Sequence, residues 1–159
     1  MATDPSPQPN PTSTISESPA FGLARRRRAA LSRHMHLLEE ALAGAAADPA
    51  WRRRVGARLG RLRTSFAAHV VATEGPDGLY TDLLDQEPRL ARGVHVLIRE
   101  HGAIVAAMSA LQRRADFPET TAEQLRGWSG ELLRAMSRHR QRDADLLYEA
   151  YRMDIAGEA

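Results

Sequence analysis

Apolar residues recur at spacings of three and four through most of this chain, and no stretch alternates with a period of two. The pattern predicts amphipathic helices and no strands. Four stretches carry it. From about Leu23 to Ala47, one face holds Leu31, His34, Met35, Leu38, Leu42 and Ala45. From Trp51 to Glu74 the face is Val55, Leu59, Leu62, Phe66, His69, Val70 and Thr73. The third stretch, Pro88 to Arg114, presents Leu90, Val94, Leu97, His101, Ile104, Met108 and Leu111. The fourth starts near Thr120–Thr121, where Thr121 and Gln124 suit a capping box. Its face is Trp128, Leu132, Ala135, His139, Asp143, Leu146 and Ala150. Pro49, Pro76, Pro88 and Pro118 separate the stretches, as helix-breaking residues should. Gly75-Pro76-Asp77-Gly78 reads as a turn, and Leu79 to Leu84 as a short extra turn of helix.

Helices of roughly 20 to 27 residues would each span about 30 to 40 Å. Short connections favour antiparallel neighbours, so the sequence predicts an all-α, up-down-up-down four-helix bundle over residues 21–159. Residues 1–20 contain five of the nine prolines among Ser, Thr and Asn, a composition that predicts a disordered tail. The absence of cysteine excludes disulfides, Cys-bound zinc and iron–sulfur clusters. All 22 basic residues are arginine, which removes lysine chemistry. Against 20 acidic residues they leave a net charge of only +2, too balanced for a dedicated nucleic-acid binder. Arg25 to Arg28 and Arg52 to Arg54 therefore read as solvated helix faces. No run approaches the roughly 18 consecutive apolar residues of a membrane span, and none resembles a signal peptide. The expectation is a cytoplasmic protein with neither a membrane nor a nucleic-acid partner.

The histidines change the picture. Of six, four lie on apolar faces, one per predicted helix: His34, His69, His101 and His139. Residues equidistant from a hairpin turn share a height. The midpoints of successive pairs fall near residues 51–52, 85 and 120, each close to a predicted turn. A lone histidine on such a face is usually a hydrogen-bonded core residue. Four in one layer would leave several buried polar groups unmet unless a metal or a hydrogen-bond network satisfied them. His36 and His95 lie about 100° or more from their apolar faces and read as solvent-facing. Glu74 follows His69 at the helix end, and Asp143 follows His139 by one turn on the same face. Imidazole and carboxylate together suit non-haem iron, manganese or zinc. No Glu-x-x-His, His-Glu-x-x-His, P-loop, dinucleotide fingerprint or Gly-x-Ser-x-Gly elbow is present.

With His34, "FAAHVVATEGPDGLYTDLL", "LIREHGAIVAAM" and "RHRQRDADLLYEAY", residues 24–153 resemble the hemerythrin-like, or HHE cation-binding, family. The resemblance implies a four-helix bundle around a non-haem di-iron centre, two irons per chain. Its ligands here would be His34, His69, Glu74, His101, His139 and Asp143. It also implies binding or sensing of dioxygen or a related small molecule such as peroxide or nitric oxide. The chain departs from that pattern in two places. The third helix has Leu97 and Val105, not a second histidine, one turn from His101. The second helix has His-x4-Glu where many relatives have His-x3-Glu, with Thr73 at the nearer position. Glu100, beside His101, points sideways on this reading. Two other functions stay open: a di-iron enzyme activating oxygen or decomposing peroxide, and a metal-free helical interaction module.

Overall fold

The computed structural model describes the backbone of residues 18–157 and side chains as far as residue 152. Among these residues every regular element is helical. Helix α1 spans Pro19–Ala43 and α2 Trp51–Glu74. A short α3, Leu79–Gln86, and a 3-10 turn, Pro88–Leu90, lead into α4, Ala91–Ala115; α5 is Ala122–Gly157.

Local chemistry explains the boundaries. Ser18 caps α1 by accepting the Phe21 amide at 3.0 Å, and Pro19 takes the first helical position, where its missing N–H costs nothing. At the start of α5 the Thr121–Gln124 capping box is formed: the Gln124 amide donates to Thr121 Oγ1, and the Thr121 amide donates to Gln124 Oε1. Gly78 ends the turn before α3 because it must be small. A Cβ there would sit 2.6 Å from the Thr73 carbonyl oxygen and 2.8 Å from that of Gly75.

The first stretch is where sequence and structure part. The predicted tail boundary at residue 20 is replaced by a helix beginning at Pro19, while residues 1–17, the rest of the predicted tail, lie outside the described residues. The predicted helix end at Ala47 moves back to Ala43, with Gly44 as its cap. Trp51 to Glu74 stands as read, and Leu79 to Leu84 extends to a two-turn helix.

Helix α1 packs on α2, α2 on α4, and α4 on α5. Two arginines tie loop carbonyls together at one end. Arg126 on α5 donates to the carbonyls of Leu42 and Gly44, and Arg52 on α2 donates to those of Ala115, Phe117 and Thr120. Leu42 and Ala115 are among the last carbonyls of α1 and α4, which helix ends leave without a partner. The stretch Pro88–Ala115 is long and apolar enough by composition to cross a membrane. In the fold its apolar face is turned inward, with Val94, Leu97, Ile104, Met108 and Leu111 buried.

The core forms two apolar clusters. The larger includes Leu38, Leu59, Leu62, Phe66, Ile104, Met108, Leu132 and Met136; the smaller includes Leu79, Leu83, Val94, Leu97, Leu146 and Ala150. Along α4 the division falls between Leu97 and Ile104, and along α5 between Met136 and Leu146. The buried polar residues His101, His139 and Asp143 occupy those gaps.

Candidate metal centre

Three of the four predicted histidines come together. One ring nitrogen each of His69, His101 and His139 lies within 4.8 Å of the others, and all three residues are 1% exposed. The ring centroids are 4.7 to 5.7 Å apart. Phe66 packs against all three rings, and Tyr80 from α3 stacks on His101 at 6.0 Å.

The polar bookkeeping of this layer is incomplete. Both ring nitrogens of His69 are buried without a hydrogen-bond partner, and so is His101 Nδ1. Two unpaired buried nitrogens on one ring are unusual in a folded protein, where such groups almost always find a partner. His101 Nε2 and His139 Nε2 face each other at 3.0 Å. Two nitrogens bound side by side to one ion at about 2.1 Å would be about 3.0 to 3.4 Å apart, so the spacing suits shared coordination.

The His139 ring is backed by a hydrogen-bonded carboxylate, and the His101 ring has one just beyond hydrogen-bond reach. His139 Nδ1 meets Glu100 Oε2 at 2.9 Å, and Arg142 holds the other Glu100 oxygen. His101 Nδ1 has Glu74 Oε1 at 3.6 Å. A carboxylate that accepts the Nδ1 proton fixes the tautomer and leaves Nε2 as the donor to a metal. Glu74, predicted as a ligand, thus lies against the edge of His101 away from His139. Glu100, read from sequence as pointing sideways, reaches across from α4 to orient the histidine of α5.

Burial keeps His69 and His101 neutral, the form that binds metals. Desolvation brings His69 down to about 4, further lowered by His139 and Arg28 and opposed by the nearby Asp143 carboxylate. Desolvation, then His139 and His69, brings His101 down to about 3. Desolvation also raises the Glu74 carboxyl above its usual range and, with Asp143, raises the Tyr80 hydroxyl. With His101 neutral, its approach to Glu74 is a polar contact and not an ion pair.

Asp143 is 1% exposed, as its place on the apolar face predicted, but its oxygens are already engaged. Arg28 Nε donates to Oδ2 at 2.9 Å, and the Tyr80 hydroxyl donates to Oδ1 at 3.5 Å. Arg28 was hidden in a run of four arginines that the sequence assigned to solvent.

His34 does not join the cluster. It lines a groove between α1 and α2 with Arg27, Arg33 and Arg61, and is only half-buried. The reason is the hairpin centre. The loop runs from Gly44 to Ala50, so reflection of His69 through its middle lands near residue 25. That is about nine residues, or ~13 Å along the axis, from His34. The inner seam of α1 is Ala24, Arg28, Leu31, Met35, Leu38 and Leu42, and Arg28 is its member at the histidine layer. His36 and His95 are exposed, as read.

Three buried histidines in this arrangement could hold a metal ion. No family model, no curated protein and no solved structure matches the chain.

Proposed function

We propose that this chain is a hemerythrin-like non-haem iron protein that binds or senses a small diatomic molecule such as dioxygen or nitric oxide. The iron would be held by His69, His101 and His139. The observation that carries the reading is His69: a fully buried imidazole with both nitrogens unpartnered, aimed into a cluster of two more. The four long helices are read as an up-down-up-down bundle, in the order the resemblance implies. The Arg126 and Arg52 bonds support this by gathering the end of α1, the starts of α2 and α5, and the end of α4.

The resemblance implies two irons, but the donors gathered here suit one. His34 is remote, Glu74 lies beside the outer edge of His101, and the charge of Asp143 is already balanced by Arg28. Three protein ligands on one ion leave a position free for a small molecule. Bound iron would supply that open coordination position and a redox couple. The protein supplies the rest. Glu100 fixes the His139 ring, Tyr80 and Phe66 wedge that of His101, and the apolar clusters lie on either side of the layer.

The test is metal content of the full chain expressed with iron supplementation. About one iron per chain is expected, retained in His34→Ala and lost in His69→Ala and His101→Ala. The reduced protein should change its optical spectrum on exposure to dioxygen or nitric oxide. A folded chain without metal would overturn the assignment and leave the interaction-module reading. Two irons, both lost in Asp143→Asn, would restore the di-iron centre. Turnover of peroxide above a metal-free control would move the reading to an enzyme.

A further inference from the structure

The outer groove between α1 and α2 gathers three arginines around one depression. Eight of the 22 arginines have a structural partner, Arg63 with Ser109 among them. Arg28 pairs with Asp143, Arg54 with Asp48, Arg89 with Glu87 and Arg142 with Glu100; Arg52 and Arg126 hold carbonyls, and Arg114 covers Trp128. Arg27, Arg33 and Arg61 make no hydrogen bond or ion pair among the described residues, yet all three line one groove of about 520 Å³. Its lining contains no acidic residue. Ala30, Ala57 and Ala68 add only methyl groups to the lining. In the lining His34 Nδ1 is buried without a partner, and Ser65 carries a hydroxyl. The groove depresses the basicity of His34 through desolvation and then the positive charge of Arg33, Arg61 and Arg58.

Three like charges held around one depression repel one another, and an anion seated between them removes that cost. Guanidinium groups present forked donors that match the oxygens of a phosphate, and three on one groove offer more of them than a lone surface arginine. The volume falls in the range of small-molecule sites, roughly 300 to 1,000 Å³. A duplex would call for a longer basic stripe, and the chain's net charge is only +2.

We propose that this groove is a binding site for a compact polyphosphate-type anion, held by Arg27, Arg33 and Arg61 with His34 and Ser65 in the lining. The site is separate from the three-histidine cluster and does not depend on metal there.

The experiment is calorimetric titration of the full chain with inorganic pyrophosphate at low salt, without divalent cations. Saturable one-to-one binding is expected, at least tenfold weaker in Arg33→Ala and in Arg61→Ala. Arg113→Ala, an exposed arginine outside the groove, and His69→Ala should both bind like the parent. Far-UV circular dichroism and metal content should be unchanged in the groove variants. Absence of saturable binding overturns the proposal, as does equal weakening in Arg113→Ala, which would mean diffuse surface charge. Loss in His69→Ala with retention in Arg33→Ala and Arg61→Ala would place the anion at the histidines and also overturn it. Displacement of pyrophosphate by far lower concentrations of duplex DNA, with a steep salt dependence, would replace the small anion by nucleic acid.

Discussion

Glu100 shows how a residue one position from a ligand acts on a different ligand. On α4 it is rotated about 100° from His101, which is why the sequence points it aside. Across the helix interface it accepts from His139 Nδ1 at 2.9 Å while Arg142 steadies its other oxygen. Glu100→Gln keeps the shape but weakens the acceptor. Metal affinity should fall about 10- to 100-fold, the usual cost of losing such a backing group, with little change in fold. Competition against a chromophoric chelator measures it, and an unchanged affinity would reduce Glu100 to a surface ion-pair partner. Arg28 and Asp143 permit a second measurement. Asp143 is 1% exposed and Arg28 22%. Arg28→Met leaves a buried carboxylate without its cation and should cost about 3 kcal/mol, the low end for a broken buried pair because water reaches Arg28. Asp143→Leu in the same chain should recover much of that loss, because the orphaned charge is gone. Denaturant titration of the two single variants and the double gives the coupling. The helical period was enough to find His69, His101, His139 and Asp143, since all four lie on inward faces. Arg28 and Glu100 were not legible, because each owes its role to a partner 115 or 39 residues away.

At the scale of helices, punctuation decided what could be read. Trp51 to Glu74 was legible to the residue because Pro49 precedes it and Gly75-Pro76 ends it. Helix α1 was misplaced by four residues at both ends. Ser18-Pro19 is a proper start signal, but it sits at the edge of a proline-rich tract whose composition outweighed it. Gly44 is a stop signal, but three alanines follow it and continue the helical pattern. A small error in a hairpin loop doubles when a residue is reflected through it, and that carried His34 into the metal layer. The long α4 offers a clean test of how far its backbone is optimised. Gly102 lies on its exposed side, and a Cβ added there meets nothing within 4 Å. Gly102→Ala should therefore stabilise the protein by about 0.5 to 1 kcal/mol through helix propensity alone. Thermal unfolding would show a rise of a few degrees, with metal content unchanged although His101 is adjacent. A fall in Tm would mean that α4 is strained or contacted at that position.

The whole molecule is two apolar clusters separated by a polar layer, and the layer makes stability depend on pH and on metal. In the metal-free protein, His69 is lowered to about 4 and His101 to about 3, from a usual 6.5. Between those values and 6.5 the unfolded chain binds protons that the native state refuses. Folding is then opposed by protonation, and stability falls as pH drops. The contribution of the two histidines is fully present above about 6.5 and is lost progressively toward pH 4 for His69 and pH 3 for His101. Glu74 acts with the opposite sign: its raised carboxyl makes the native state bind the extra proton above its usual 4.5, which opposes stability as pH rises. Two strongly lowered imidazoles against one partly exposed carboxyl should leave acid sensitivity as the net result. A metal ion on the same nitrogens competes with protons for them, so it should raise Tm at pH 7 and lose that effect as the histidines protonate. Thermal unfolding at pH 7, 6 and 5, with and without ferrous iron under anaerobic conditions, separates the terms. The apo Tm should decline steadily over that range in the parent and less steeply in His69→Ala. The iron-dependent increment should persist from pH 7 to pH 5, because the native imidazoles of His69 and His101 protonate only near 4 and 3, and be absent throughout in His69→Ala. An apo Tm that is flat with pH would mean that the histidine layer admits water. An iron increment that survives His69→Ala would mean that the ion sits elsewhere.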